Sequence, residues 1–500
     1  MSTRSTISTC LRRLALSRCV NHQSDSSSAP FHNISSTRSY AARSSYPRNN
    51  LFSRISPLGS PGIRVAPIID QWVEEGKKVR DMELKHILRD LRKRRRFTQA
   101  LEVSEWMTAR ENFEVSESDI AVQLDLIGRV HGIDAAESYF NKVDETDKSE
   151  KVYGALLNCY VREGLVEKSM SHLETMKENG IPRTRLAYND LMCLYTNIGQ
   201  PEKVADVMEE MRSNGISPDC FSYRMCINSY GVRSDIESME RVVKEMEGDP
   251  HVPMDWNTYA VSANYLIKAG LKEKGLAYLK KAEEKVSNDI LGFNHLISLY
   301  ANLESKSEMM RLWKLQKTVC QRQLNREYIT MLGCLVKLGE LDDAEELLKQ
   351  WESTCKSYDF RVPNILLIGY CQRGMVEKAE ARLRAIMKKR TPTPNSWAIL
   401  AAAYIDSENM DKAVRCMKEA LAVEGENKGW RPKPKVMTTL LNWLVDNGTV
   451  EDLEDFVDAI KSKMPADEEI ADALNKAHTR SGKEVDGLLE TLAYVQSRPQ

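Results

Sequence analysis

The chain alternates short apolar stripes with polar turns at a regular period. Between residues 187 and 219, apolar residues recur at Tyr188, Leu191 and Leu194, and Gly199 closes the stripe before a second one begins. Apolar residues three or four positions apart share one helix face, and glycine ends a helix without strain because it adopts the left-handed conformation. The pattern therefore predicts two helices joined by a tight turn.

This hairpin recurs with a period of about 35 residues. The turn glycines are Gly132, Gly164, Gly199, Gly270, Gly339, Gly374, Gly448 and Gly482. Ser234, Glu304 and Glu408 stand where a glycine of the series is missing. A single hairpin cannot bury its own apolar face, so neighbouring hairpins must stack. The sequence predicts an all-α fold, an α-solenoid of about twelve stacked helix-turn-helix repeats.

An aromatic residue at the fourth position of most repeats locates their first residues. The predicted first residues are Asp81, Ser118, Glu150, Arg185, Cys220, Trp256, Ile290, Asn325, Phe360, Pro394, Pro434 and Glu468. The tetratricopeptide repeat has nearly the same length, but its W-x-x-L-G-x-x-Y pattern is absent. We assign residues 68–500 to the solenoid.

The N-terminal residues differ in composition from the rest. Residues 1–69 contain nine Arg, no Lys and one acidic residue, Asp25, together with many Ser. This composition is typical of an organellar transit peptide, and no uninterrupted apolar segment of a secretory signal is present. The sequence around Tyr40 resembles a mitochondrial processing site. We predict a mitochondrial transit peptide over residues 1–40 and location in the matrix, with the chloroplast as the competing address. A disordered tail rich in Ser and Arg is the other interpretation of this composition.

The following residues, 41–67, are rich in Pro, Ser and Gly, and we predict a disordered linker there. The sequence contains no window of 18 consecutive apolar residues, so a membrane span is not expected. No C-x-x-C, H-E-x-x-H, G-x-S-x-G or P-loop motif occurs. We therefore expect no metal site, no cofactor and no catalytic activity.

The repeat containing Tyr188, Asn189 and Asp219 also shows a family resemblance. An aromatic residue followed by a variable residue opens most repeats, and several close with Asp. At these positions the sequence resembles the pentatricopeptide repeat family, with its consensus of the type V-x-T-Y-N-x-L-I…G…A…M-x-x-x-G-x-x-P-D. Residues 68–107 resemble the first segment of short plant-organellar P-type members, which lack C-terminal editing extensions.

The resemblance implies that single-stranded RNA is bound at about one base per repeat. In the family, the fifth and last residues of a repeat contact a base edge, and the second residues of neighbouring repeats sandwich the ring. Asn189 with Asp219 matches the pair that reads uracil, and Thr438 with Asp467 resembles the pair associated with guanine. The resemblance implies these RNA-binding residues: Asn189, Asp219, Arg224, Asp255, Asn294, Asn364, Thr438 and Asp467. The sandwiching candidates are Leu186, Phe221, Asn257 and Arg361.

Other repeats depart from the readable pairs. The departing pairs are Gly154/Thr184, Arg224/Asp255, Ala260/Asp289, Asn294/Leu324, Ile329/Asp359, Asn364/Thr393 and Ala398/Lys433. The chain has a net charge of −1, and loss of residues 1–40, with five Arg and one Asp, leaves −5. RNA binding needs positive charge near the phosphates, and the run of basic residues at 89–96 is the candidate. A solvated helix face is the alternative interpretation of that run.

Three functions remain open from the sequence. The first is a non-catalytic mitochondrial RNA-binding protein in transcript stabilisation, processing, splicing or translation. The second is a protein-interaction scaffold, for example a factor associated with the mitochondrial ribosome, because solenoid grooves also hold peptides and helices. Other RNA-processing proteins are further candidate partners. The third is a metal-dependent nuclease, which we rank last because no paired carboxylates stand out.

Overall fold

A computed structural model describes residues 50–58, 63–110, 113–320, 323–423 and 430–461. Within these residues the secondary structure is entirely helical. The helices are α1 Leu51–Ile55, α2 Ala66–Glu74, α3 Asp81–Lys93, α4 Phe97–Thr108, α5 Glu117–Val130, α6 Ile133–Lys142, α7 Glu150–Arg162, α8 Val166–Glu178, α9 Arg185–Asn197, α10 Lys203–Ser213, α11 Cys220–Val232, α12 Ile236–Gly248, α13 Trp256–Lys268, α14 Lys272–Lys285, α15 Ile290–Asn302, α16 Lys306–Val319, α17 Asn325–Leu338, α18 Leu341–Thr354, α19 Arg361–Gln372, α20 Val376–Met387, α21 Pro394–Asp406, α22 Met410–Ala422, α23 Pro434–Asn447 and α24 Val450–Lys461.

The helices from α3 onward pair into the predicted repeats. The repeat starts predicted from the aromatic register coincide with the first residues of nine helices, and two others, at Ser118 and Phe360, differ from the helix start by one residue. The predicted start at Glu468 lies outside the described residues. The register of the solenoid is therefore confirmed for the part of the chain that the structure describes.

The turns between paired helices use the left-handed conformation. Gly199 has a φ of 76°, and the predicted substitutes Ser234, Glu304 and Glu408 have φ of 60°, 60° and 58°. Gly448 is an exception, because its φ of −83° is extended rather than left-handed. Left-handed backbone strains residues with a Cβ, so the three substitutes are held there by the packing of the flanking helices.

Two compact units divide the chain at Lys281 and Ala282. In the N-terminal unit, successive first helices contact each other, as α5 with α7, α7 with α9 and α9 with α11. Several second helices also contact the first helix of the following repeat, as α10 does with α11. The buried core lies between the first helices and the second helices and contains Tyr188, Leu191, Val204 and Met211.

The C-terminal unit repeats the same arrangement, with α15 against α17, α17 against α19 and α19 against α21. A recurring tyrosine of the first helix donates a hydrogen bond to a glutamate of the preceding second helix. These pairs are Tyr300 with Glu283, Tyr370 with Glu345 and Tyr404 with Glu380. The tyrosine rings are fully buried, so the bonds satisfy a polar group inside each repeat junction.

The prediction of a disordered linker over 41–67 is wrong for the described part of that segment. Leu51 and Ile55 of α1 and the nearby Val65 are buried, each with 1% exposure or less. Arg96 and Gln99 donate hydrogen bonds to backbone carbonyls of this segment, at residues 56, 58 and 63. The prediction followed the Pro, Ser and Gly content and overlooked these apolar residues. They extend the core to the N-terminal side of the first repeat.

The predicted transit peptide, residues 1–40, lies outside the described residues. None of the helices in the described ranges is both long and apolar enough to cross a membrane.

Candidate nucleic-acid interface

The Asn189–Asp219 pair joins two successive first helices. Asn189 lies on α9, and Asp219 is the N-cap residue of α11, where its Oδ1 accepts hydrogen bonds from the backbone N–H groups of Phe221 and Ser222 at 3.0 Å. Asn189 Nδ2 donates to Asp219 Oδ1 at 3.4 Å. The aspartate therefore both caps a helix and holds the amide of the preceding repeat.

The amide oxygen of Asn189 has a partner as well. Ser222 Oγ donates to Asn189 Oδ1 at 2.7 Å. A carboxylate only accepts hydrogen bonds, so the atom of Asn189 that faces Asp219 must be the nitrogen. The amide orientation is set from both sides, and one N–H and one lone pair of the oxygen remain for a ligand.

The two side chains of the Asn189–Asp219 pair differ in their exposure to solvent. Asn189 is only 6% exposed, whereas Asp219 is half-buried. A base that reaches the amide must therefore approach through a narrow opening. Leu186, at the second position of the same repeat, is 43% exposed and Phe221 of the next repeat is half-buried.

The Arg224–Asp255 pair has the same placement with different chemistry. Arg224 Nη1 donates to Asp255 Oδ2 at 2.8 Å, and Asp255 caps α13 through the backbone N–H of Thr258. An arginine offers only donors, so this repeat cannot present the donor and acceptor of an amide. Asn257, at the second position of this repeat, is half-buried.

Asn294 is held by a residue that the sequence pattern did not indicate. Its Nδ2 donates to Glu327 Oε1 at 3.4 Å, and its Oδ1 accepts from Gln316 Nε2 at 3.0 Å. Leu324, the last residue of that repeat, is 47% exposed and provides no polar side chain. The missed signal was a Glu three positions after the N-cap of α17, where a capping box places a carboxylate.

Asn364 has no corresponding carboxylate. Its side chain is 5% exposed, and within the described part of the chain its Oδ1 has no hydrogen-bond partner. Thr393, the last residue of that repeat, shares a hydrogen bond with Ser396 Oγ at 3.0 Å. Asn364 and Thr393 occupy the same repeat positions as Asn189 and Asp219, but the structure shows no hydrogen bond between their side chains.

The last two predicted positions are less informative. Thr438 Oγ1 donates to the backbone carbonyl of Pro434 in its own helix at 3.2 Å. Asp467 lies outside the described residues, so the predicted Thr438–Asp467 pair stays a prediction. Arg361, a sandwiching candidate, is exposed and forms an ion pair with Asp359 at 2.7 Å.

Three arginines converge on one buried carboxylate in the first repeats. Arg92 of α3, Arg129 of α5 and Arg162 of α7 donate to Asp125 at distances between 2.9 and 3.1 Å. Glu163 lies 3.5 Å from Arg162, so three guanidinium groups face two carboxylates. The cluster has an excess of positive charge, and its arginine side chains are 15–24% exposed.

Asp190, the neighbour of Asn189, is also buried. It is 4% exposed and accepts a hydrogen bond from Asn158 Nδ2 at 3.2 Å. Loss of solvation raises the pKa of Asp190 to about 7, and the nearby Asp125 acts in the same direction. A carboxyl group that is partly protonated near neutral pH therefore follows directly after Asn189 on α9.

The basic run at 89–96 is only partly available for a ligand. Arg94 forms an ion pair with Asp90 at 2.8 Å, and Arg96 is bonded to backbone carbonyls of the N-terminal segment. Arg89 and Lys93 are exposed. The run is therefore partly structural, and the phosphate surface predicted there is smaller than its charge suggests.

Comparisons with known proteins agree with the repeat pattern. A model of the PPR repeat family matches residues 183–231, and a PPR repeat model matches residues 151–181, 221–250, 328–353 and 362–390. A mitochondrial pentatricopeptide repeat-containing protein of Arabidopsis thaliana is 44% identical over 89% of this chain and 91% of its own length. The chain belongs to the pentatricopeptide repeat family.

Two further similarities are of interest within this family. The large ribosomal subunit protein mL101 of Arabidopsis thaliana is 35% identical over 90% of this pentatricopeptide repeat chain and 93% of its own length. The crystal structure of the pentatricopeptide repeat protein PPR10 from maize is 16% identical, covering 90% of this chain and 72% of the other, with a TM-score of 0.37.

Proposed function

We propose that this chain is a non-catalytic protein that binds single-stranded RNA through its repeats and acts in the stabilisation, processing, splicing or translation of mitochondrial transcripts. The observation that carries the proposal is the oriented amide of Asn189. Its nitrogen is directed to Asp219 and its oxygen to Ser222, which leaves one donor and one acceptor at fixed positions.

Uracil is the base that this amide suits. The Watson–Crick edge of uracil presents an N–H donor beside carbonyl acceptors, and an amide offers the complementary acceptor and donor. Leu186, on the helix of Asn189, gives an exposed apolar surface against which the ring can stack. The cluster of Arg92, Arg129 and Arg162 supports the proposal, because excess positive charge attracts the phosphates of RNA.

The proposal is tested by selection from a randomised RNA pool on the purified full chain. Wild type is expected to enrich uracil at defined positions, and Asn189→Ala to lose uracil at one of them. Glu209→Ala is the matched control, because Glu209 is exposed on the second helix of the same repeat. No enrichment by wild type, or the same profile for Asn189→Ala and wild type, would contradict the proposal.

The mitochondrial part of the proposal has separate support. The first residues have the composition of a transit peptide, and several Arabidopsis relatives carry the word mitochondrial in their names. A fluorescent fusion of the full chain is expected in the mitochondrial matrix, and exchange of Arg12, Arg13 and Arg18 for Glu is expected to abolish import. Fluorescence in chloroplasts would favour the competing address.

A second candidate function is a scaffold associated with the mitochondrial ribosome. The similarity to the ribosomal protein mL101, which extends along nearly the whole of both chains, supports it. Sedimentation of the tagged protein from organelle extracts separates the two functions. Co-migration with ribosomal subunits after limited RNase treatment supports the scaffold, whereas release by RNase supports binding to transcripts.

A further inference from the structure

We propose that Asn294 and Glu327 form a second uracil-reading pair, in which the carboxylate comes from the third residue of the next first helix and not from the last residue of the repeat. The inference rests on the proposed function, because it assigns a further base to the same kind of site. Leu324, the last residue of this repeat, has no polar side chain. Glu327 would therefore supply the carboxylate that the Asn294/Leu324 pair lacks.

The geometry of the two asparagines is closely matched. Asn294 and Asn189 are 8% and 6% exposed. Each donates from Nδ2 to a carboxylate oxygen at 3.4 Å, to Glu327 in one repeat and to Asp219 in the other. The carboxylate can only accept, so the amide nitrogen faces it in both repeats.

The amide oxygens are also occupied, by donors from different helices: Ser222 lies on the next first helix, α11, whereas Gln316 lies on the second helix of the same repeat, α16. Gln316 Nε2 donates to Asn294 Oδ1 at 3.0 Å, and Ser222 Oγ donates to Asn189 Oδ1 at 2.7 Å. Gln316 is fully buried and also donates to the backbone carbonyl of Ile290, so its amide is itself fixed. One N–H and one oxygen lone pair of Asn294 remain for a base, as for Asn189.

Glu327 is held rigidly enough to orient its partner. It is 1% exposed, its Oε2 accepts the backbone N–H of Leu324 at 2.6 Å, and Arg326 Nε lies 3.2 Å from its Oε1. The helix cap and the orientation of the amide are thus provided by one side chain. Asp219 combines the same two roles in its own repeat.

The surroundings of Asn294 offer stacking surfaces as well. Leu291, at the second position of the same repeat, is 37% exposed, and the Arg326 side chain, at the second position of the next, is 45% exposed. An aliphatic side chain and a guanidinium plane can both lie against a base. The arrangement fits a single uracil of RNA.

The experiment is selection from the randomised RNA pool with full-chain variants that separate the carboxylate from the helix cap. Asn294→Ala and Glu327→Gln are expected to lower uracil enrichment at one and the same position by about fivefold or more, the range that a paired amide contact provides. Asn189→Ala should affect a different position. Glu346→Gln, the same change at an exposed residue of α18, should leave the profile unchanged.

Two double variants keep the test valid if Glu327→Gln alone does not fold. Leu324→Asp/Glu327→Gln and Leu324→Ser/Glu327→Gln both place a capping side chain at the N-cap of α17, but only the first restores a carboxylate. The first should retain uracil and the second should lose it. Equal uracil enrichment by both would overturn the inference, even if Glu327→Gln alone does not fold.

Failure of the inference can be told apart from failure of the proposed function. If Asn189→Ala loses a uracil while Asn294→Ala and the two double variants keep the wild-type profile, only the Asn294–Glu327 pair is refuted. If wild type enriches no base at any position, both proposals fail.

Discussion

Two repeats carry an asparagine at the same position but treat it differently. Asn189 is bonded to Asp219 and to the hydroxyl of Ser222. In the repeat of Asn364, the serine that corresponds to Ser222 is Ser396, and its hydroxyl is bonded to Thr393. Both asparagines are buried. The difference lies in the partners of the two amides: Asp219 accepts from the nitrogen of Asn189, whereas the oxygen of Asn364 has no hydrogen-bond partner within the described residues.

The two repeats also differ at the next residue. Asp190 follows Asn189 and is buried with a raised pKa, whereas the half-buried Ile365 follows Asn364. One repeat therefore combines an amide bonded to a carboxylate with a titrating carboxyl group, whereas the matching residues of the other, Thr393 and Ile365, provide no carboxylate.

The largest expected effect comes from Asp190. Its pKa is about 7 in the folded chain against an ordinary value of 3.8, so the folded state keeps a proton that the unfolded chain releases between these values. The free energy of unfolding should therefore fall as pH rises from about 4 to about 7. Asp190→Asn should remove this loss and stabilise the protein by about 2 to 4 kcal/mol at pH 8, with little gain at pH 4.

Urea unfolding at several pH values checks this expectation. Asp134→Asn is the control, because Asp134 is exposed on α6. A stability difference between Asp190→Asn and wild type that does not change with pH would show that Asp190 does not hold a proton in the folded chain.

The next effect concerns Asp219, which has two roles. Asp219→Ala should lower the free energy of unfolding by about 1 kcal/mol through loss of the helix cap. It should also lower uracil enrichment at the Asn189 position by about fivefold or more. Asp219→Ser is expected to keep the cap and still lose the uracil, because serine has no carboxylate to orient the amide.

Chemical denaturation and selection from the RNA pool measure these two effects separately. Loss of stability without loss of uracil preference in Asp219→Ala would show that the aspartate acts only as a cap. The contrast between Asn189 and Asn364 would then have no bearing on recognition.

The smallest expected effect is a gain. Thr393→Asp places a carboxylate at the N-cap of α21, where the wild-type side chain makes no capping hydrogen bond to the helix backbone. The variant should gain about 0.5 to 1 kcal/mol of stability and a new uracil preference at one position. Thr393→Asn, a cap without a carboxylate, should gain stability but no new preference. Equal base profiles for the two variants would contradict the role given to the carboxylate.

Much of the fold was predictable from the sequence. The period, the repeat starts and the left-handed turns at Ser234, Glu304 and Glu408 all follow from local patterns, because helix register and turn conformation depend on neighbouring residues. The Asn189–Asp219 contact was also predictable, since both residues match a known repeat pattern.

Other features of the site could not be predicted. Glu327 reaches Asn294 across 33 positions of sequence and takes a place that the pattern assigns to Leu324. Arg96 was counted among phosphate-binding residues but binds backbone carbonyls instead. In both cases the side chain is long enough to reach several partners, and the packing of the helices selects one.

The sequence by itself therefore determined the repeating frame of this protein, its helices, their register and the family to which it belongs. Only the tertiary structure decided which polar side chains meet between repeats, how deeply Asn189 lies and which arginines converge on Asp125. The physical reason is one of range. Helix formation is set by residues a few positions apart, whereas an oriented amide needs partners that only stacking of successive repeats brings within hydrogen-bond distance.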